Sequence, residues 1–269
     1  LNKYISGSSS TNTSTFQSKS ADSSKAIITN NSTYTVYMYN CDWVTFKDVT
    51  IQSTSTSTRY ILYHYYGENN NFINCKIVGP RNTSTSYAGR IYYSDKVVFK
   101  NCRIEGNYYG LYFYGSSSNR HEDNVVDGCE IMHHYYYGVY SYYGQGFTMM
   151  NSIIDSAQTG IGYAHYNYYG NGSKIIGNQV NTGYYGLMMY YQNYTGTITS
   201  SDTLRIHNNM VGGQIYYPLY MYYGNIATVY HNSFEAASGQ YAMYYYCYQR
   251  NKHRFANNIL SGSGGYYGM

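Results

Sequence analysis

Apolar positions along this chain recur in a fixed three-point cluster, not in the 3.6-residue rhythm of a helix. An apolar residue closes a short strand, an inward residue stands three positions on, and another apolar residue stands two beyond that. The triplets are Phe46/Val49/Ile51, Phe72/Cys75/Ile77, Phe99/Cys102/Ile104, Val126/Cys129/Ile131, Met149/Ser152/Ile154, Ile175/Asn178/Val180, Ile206/Asn209/Val211, Val229/Asn232/Phe234 and Phe255/Asn258/Leu260. Their middle residues lie 26, 27, 27, 23, 26, 31, 23 and 26 positions apart, a period that marks a stacked repeat. Residues two apart share a strand face, so the odd offset of three marks a corner. Asp48, Asn74, Asn101, Gly128, Asn151, Gly177, Asn208 and Asn257 occupy it, all types that tolerate left-handed backbone.

Each coil opens with an aliphatic–aromatic strand, as in Val36-Tyr37-Met38-Tyr39, Leu62-Tyr63-His64-Tyr65 and Leu219-Tyr220-Met221-Tyr222. Ile91, Ile161 and Leu187 open weaker copies. The clearest unit runs from Tyr109 to Ile131 and predicts strands at Leu111–Tyr114, Asn124–Val126 and Cys129–Ile131. The pattern predicts an all-β parallel solenoid of about nine coils of about 26 residues, with three short strands per coil. Residues 1–34, rich in Ser, Thr and Asn and anchored by Ile5, Phe16, Ile27 and Ile28, read as an irregular first coil; 35–269 read as the repeat domain. The chain begins at Leu1, and a processed or excised product is the expectation. Its last residues, Tyr267-Gly268-Met269, match the opening of a further coil. Open strand edges recruit other chains, so the rest of a longer protein or another subunit is expected at that end.

Stacking makes columns out of equivalent residues. Cys75, Cys102 and Cys129 fall on one inward column, where in-register Cβ atoms about 4.8 Å apart are too distant for a disulfide; they read as buried, unbridged thiols. Cys41 and Cys247 fall outside it and read as free. Asn178, Asn209, Asn232 and Asn258 continue that column as an amide ladder. Outside, the residue after each aligned aliphatic is Tyr37, Tyr63, Tyr92, Tyr112, Tyr140, Gly162, Met188, Tyr220 and Tyr244. Two further on stand Tyr39, Tyr65, Ser94, Tyr114, Tyr142, Ala164, Tyr190, Tyr222 and Tyr246. Such phenol columns form a self-stabilising ladder or a contact face for sugars or a neighbouring protein.

Composition narrows the function. Tyrosine numbers 43 of 269 residues and charged residues only 11%. The net charge of +4 is spread without the basic cluster that nucleic acid demands. No apolar run approaches a membrane span. Asp95, Glu105, Asp123, Asp127 and Glu130 are the densest carboxylates but occupy different coil positions, and glycoside hydrolysis needs carboxyls that converge. His121-Glu122-Asp123 beside Arg120, and His133-His134, read as loop residues without a spaced metal motif. No cofactor is expected.

The Asn-x-x-Ile closings, Gly-Leu-Tyr openings and Asn-rich corners resemble right-handed parallel β-helix repeat proteins, above all tyrosine-rich segments of large secreted bacterial surface proteins. The resemblance covers about 35–269 and implies a right-handed coil. It also implies an extracellular or cell-surface setting and a family of enzymes, adhesins and stalks. The polygalacturonase signature of that family (N-x-D, D-D, G-H-G, R-x-K) is absent. The expectation is a non-catalytic stalk, filament or adhesin segment, contacting other subunits and glycans through its tyrosines. A polysaccharide lyase or hydrolase, or a pure glycan-binding module, is the alternative.

Overall fold

The computed structural model describes residues 8–81, 85–157, 162–181, 183–193, 199–213, 215–237, 239–247 and 252–262. Within them the chain winds as a parallel β-solenoid of about nine coils with almost no helix. Two ten-stranded sheets and one nine-stranded sheet run its length. One coil shows the plan: Val98–Lys100 lies in the first sheet, Arg103–Glu105 in the second and Tyr109–Tyr114 in the third. The strands in the best-patterned unit are Tyr109–Tyr114, Val125–Asp127 and Glu130–Met132, within two residues of the sequence expectation.

The register reproduces the triplets. Phe16, Phe46, Phe72, Phe99 and Val126 pair in succession, as do Ile28, Ile51, Ile77, Ile104 and Ile131. These side chains fill the axis, and stacked phenyl rings 4.8–5.4 Å apart link Phe16, Phe46, Phe72 and Phe99. The eight predicted corner residues all have φ between 51° and 68°. His231, with φ 57°, completes the row. In the N-terminal segment, Ser14–Gln17 and Ile27–Thr29 extend the first two sheets, and Phe16 and Ile28 pack on the core. Ile27 is an outward residue, 53% exposed, because strand alternation carries it away from Ile28. Ile5, Ile161 and Tyr267-Gly268-Met269 lie outside the described residues.

The inward middle column, one residue past the corner, shows how a stacked position selects its residue type. None of the five cysteines is in a disulfide. The Sγ of Cys75, Cys102 and Cys129 donates to the carbonyls of Phe46, Phe72 and Phe99 one coil back, at 3.3, 3.2 and 3.5 Å. The thiols are therefore weak donors as well as packers. Hydrogen bonding to the flanking thiols Cys129 and Cys75, together with burial, pushes the Cys102 thiol up. Asn178, Asn209, Asn232 and Asn258 donate to the equivalent carbonyls of Met149, Ile175, Ile206 and Val229 at 2.8–3.0 Å. An amide also accepts, which a thiol does poorly. The Oδ1 of Asn209 takes both the backbone N–H and the Nδ2 of Asn178, each at 3.0 Å. Asn232 and Asn258 repeat the arrangement at 2.9–3.0 Å.

Asn209→Ala orphans buried donors of Asn178 and should lower stability by about 2–4 kcal/mol. Asn209→Ser should recover part of that, because Ser152 in the same column accepts the Cys129 N–H at 3.1 Å. Chemical denaturation of the three proteins measures both; an unchanged midpoint for Asn209→Ala would show the ladder to be neutral.

Candidate functional site

The third sheet carries the tyrosines. Outward alternation alone would give two columns, but the structure has three. Tyr34, Val36, Tyr37, Met38 and Tyr39 show why: Tyr34, Tyr37 and Tyr39 face out, while Thr35 and Val36 are both buried. The strand therefore kinks after its first residue. Small residues sit at the kink in most coils, and at Gly110 an added Cβ would lie 2.4 Å from the Gly138 carbonyl oxygen.

The first column, missed in the sequence, runs Tyr34, Tyr60, Tyr87, Tyr109, Tyr137, Tyr163, Tyr185 and Tyr217. Every step in it has ring centroids 4.6–5.3 Å apart and planes within 15°. The second runs Tyr37, Tyr63, Arg90, Tyr112, Tyr140, Tyr166, Met188, Tyr220 and Tyr244. The third is tyrosine throughout: Tyr39, Tyr65, Tyr92, Tyr114, Tyr142, Tyr168, Tyr190, Tyr222 and Tyr246. All fourteen tyrosines placed in columns from the sequence lie in the second and third columns, Tyr92 alone having changed column.

Two coils correct the sequence alignment. Tyr92 belongs to the third column and Arg90 takes its place in the second, because Gly89, not Ile91, pairs with Leu62 and Leu111. Tyr166 and Tyr168 replace Gly162 and Ala164, because His165 stands in the aliphatic position opposite Val139 and Leu187. Counting from the nearest aliphatic slips the register wherever a glycine or histidine fills that place. The signal that finds all three columns is the spacing Tyr-x-x-Tyr-x-Tyr, intact at Tyr34, Tyr60, Tyr109, Tyr137, Tyr163, Tyr217 and Tyr241.

A further row stands at the corner after the strand. Tyr66, Tyr93, Tyr143, Tyr169, Tyr191 and Tyr223 all have left-handed φ of 49–55°. That conformation costs a bulky residue about 1–2 kcal/mol. Ring contacts offset it: Tyr143, Tyr169, Tyr191 and Tyr223 stack at 4.6–5.1 Å, with planes within 11°.

Nearly parallel rings with centroids about 5 Å apart overlap face on face, since coplanar rings would collide at that distance. The first-column rings thus cover one another's faces and offer edges and hydroxyl tips, whereas in the third column the steps Tyr65–Tyr92, Tyr114–Tyr142, Tyr142–Tyr168 and Tyr168–Tyr190 tilt by 33–59°. The phenols of this face are neutral. Burial pushes the phenols of Tyr112, Tyr137, Tyr140 and Tyr166 well above their usual range, with neighbouring tyrosines adding to it. Tyr92, less enclosed, is pushed up to about 12, mainly by burial.

The carboxylates fall elsewhere. Glu105 and Glu130 are held by Arg103 at 3.1 and 2.8 Å, and Asp127 accepts from Asn151 at 3.0 Å. At the corner beside the tyrosine face, the Asp42 carboxylate accepts the Glu68 N–H and that of Asp95 accepts the Glu122 N–H, each at 2.7 Å. Burial raises the Asp95 carboxyl, and Glu122 and Glu68 add to it. Among the described residues no group of three His, Cys, Asp or Glu side chains is placed to hold a metal ion, and no helix is long and apolar enough to cross a membrane. His121 is a strand residue of His121–Glu122 and not a loop residue, while His134 lies in a loop as read; both are fully buried. His121 bonds Ser141 and Asn124, at 3.1 and 3.0 Å.

Residues 15–180 match the family model described as right-handed beta helix region. The chain belongs to that family. The right-handed β-helix fold is shared with solved structures of low identity. The mannuronan C-5 epimerase AlgE6 A-module of Azotobacter vinelandii superposes with a TM-score of 0.58 at 16% identity, covering 84% of this chain and 64% of that one. A glycoside hydrolase superposes with a TM-score of 0.52 at 11% identity, covering 83% and 49%. The chain thus spans less than two-thirds of either, and the likeness is one of fold. No curated protein matches the chain.

Proposed function

We propose that this β-helix is a non-catalytic extracellular adhesive or stalk segment that lays its tyrosine face along an extended glycan. The observation that carries the reading is the unbroken third column, Tyr39 to Tyr246, flanked by two further columns. Nine coils at about 4.8 Å make a face on the order of 40 Å long, large enough to mark an interaction surface. Many ring faces are occupied by one another, so recognition runs chiefly through rows of phenolic hydroxyls and edge C–H groups. Those groups suit a polymer rich in hydroxyls, approached without charge repulsion.

The test separates hydroxyls from stacking. Tyr114→Phe, Tyr142→Phe and Tyr168→Phe together keep the rings and remove three hydroxyls. They are expected to weaken binding to an immobilised neutral polysaccharide about tenfold or more, with the fold unchanged by circular dichroism. Equal retention of wild-type and triple variant would contradict the reading.

A second reading, a carbohydrate-active enzyme, is favoured by Asp95, whose raised carboxyl stands between Glu68 and Glu122 beside the tyrosine face. It requires depolymerisation of an acidic or neutral polysaccharide that Asp95→Asn abolishes. The proposed function requires no turnover by either protein.

A further inference from the structure

Arg90 is the one cation within the three tyrosine columns. Its guanidinium carbon lies 4.8 Å from the ring centroid of Tyr92, 5.3 Å from those of Tyr63 and Tyr87 and 5.6 Å from that of Tyr60. Its Nη1 donates to the Tyr60 hydroxyl at 2.9 Å. A planar guanidinium substitutes for a ring in such a pile, and cation–π contact accounts for its tolerance there.

Three features exceed that structural role. Neither Arg90 nor Arg59 is in an ion pair among the described residues, whereas Lys96 and Arg103 each find a glutamate. The Nε of Arg90 is buried with no hydrogen-bond partner. Arg59, exposed at the strand's entry, places a second guanidinium 5.4 Å from the same Tyr60 ring. Two guanidiniums thus border one phenol and neither has an acidic partner among the described residues, an arrangement that a ligand anion complements.

We infer that Arg59, Arg90 and the Tyr60 hydroxyl form an anion subsite in the tyrosine face, taking a carboxylate or sulfate group of a glycan lying on it. The inference rests on the proposed glycan contact for its polymer, though the subsite itself is testable without one. A guanidinium presents paired N–H donors that match two oxygens of a carboxylate or of a sulfate. The surrounding neutral phenols leave these arginines as the local source of field, so an acidic sugar has one preferred register on an otherwise repetitive face.

Two measurements on the full chain test it. In the first, side-chain nitrogen NMR follows the arginine Nε–H signals during titration with sodium glucuronate, with sodium sulfate and with sodium chloride as the control. Shifts confined to Arg59 and Arg90 are expected with an oxyanion. Absence of any shift beyond the chloride control overturns the subsite, and shifts spread evenly over all arginines do the same. The stronger of the two oxyanions names the source.

In the second, calorimetry compares an oligoglucuronate, a sulfated cello-oligosaccharide and a neutral cello-oligosaccharide of equal length. At least one acidic oligomer should bind about tenfold tighter than the neutral one, an advantage that shrinks at high salt. Arg90→Gln should remove that advantage, so that acidic and neutral oligomers bind this variant alike; Arg90→Lys should restore part of it. If acidic and neutral oligomers bind alike, or Arg90→Gln keeps the difference, the subsite fails while the glycan face stands. If Arg90 and Arg59 respond to glucuronate but no oligomer binds, the subsite stands and the glycan face fails.

Discussion

Raising the pH above 10 is expected to unfold this solenoid cooperatively, at a pH where most folds tolerate the ionisation of a few surface tyrosines. Burial first, and neighbouring phenols second, raise the phenols of Tyr112, Tyr137, Tyr140 and Tyr166 in the folded chain. Below pH 10 both states are neutral and stability is complete. Above it the unfolded chain releases protons that the folded chain retains, so stability falls as pH rises towards the folded values. Four such groups remove at most about 5–6 kcal/mol per pH unit, and roughly half that once water at their edges is allowed for. A domain stable by about 5–15 kcal/mol cannot hold against that for more than one to a few units. Phenolate absorbance and far-ultraviolet circular dichroism recorded together should change in one steep step. Gradual ionisation near pH 10 with the fold retained would mean the phenols are not enclosed as the ladder requires.

Acid should be nearly as destructive, for the opposite charge. His64, His121, His134 and His165 are fully buried, and burial lowers each to about 3. For a base so shifted, stability is complete above about pH 6.5 and declines as pH falls, levelling only near 3. The bonds around His64 show why a second proton has no place. Its Nε2 accepts from Asn70 Nδ2 at 2.7 Å, and that amide is fixed by Val44 and Cys41 at 2.7 and 2.6 Å. Its Nδ1 then donates to Ser94 Oγ, also at 2.7 Å. Four such groups cost about 8 kcal/mol by pH 5, and the raised carboxyl of Asp95 offsets only a small part. An acid midpoint near pH 4–5 is expected, and His165→Leu should move it lower. A fold unchanged at pH 4 would refute the enclosure of these rings.

How much was legible depended on whether a residue's role was repeated. The triplet Phe99/Cys102/Ile104 and its copies could be aligned because a parallel coil sets each residue directly over its equivalent one turn away. The cysteine and asparagine columns followed from the same count. The tyrosine columns were read correctly where Val36, Leu62, Leu111 and Leu219 mark the register, and slipped where Gly89 and His165 stand in for an aliphatic. The column through Tyr109 was missed because strict alternation assigns Tyr109 the face of Leu111. Only the kink at Gly110 turns it outward.

The sequence by itself determined the solenoid, its period, the left-handed corners and the stacking of like upon like, since each is a local preference repeated until it could be counted. The tertiary structure decided what those columns present. Packing one coil on the next covered the faces of the first tyrosine column, carried His64 and His121 into the interior, and set Arg90 among phenols without an acid. Such outcomes depend on which side chains meet across coils at distances near 5 Å, and no spacing along one strand encodes them.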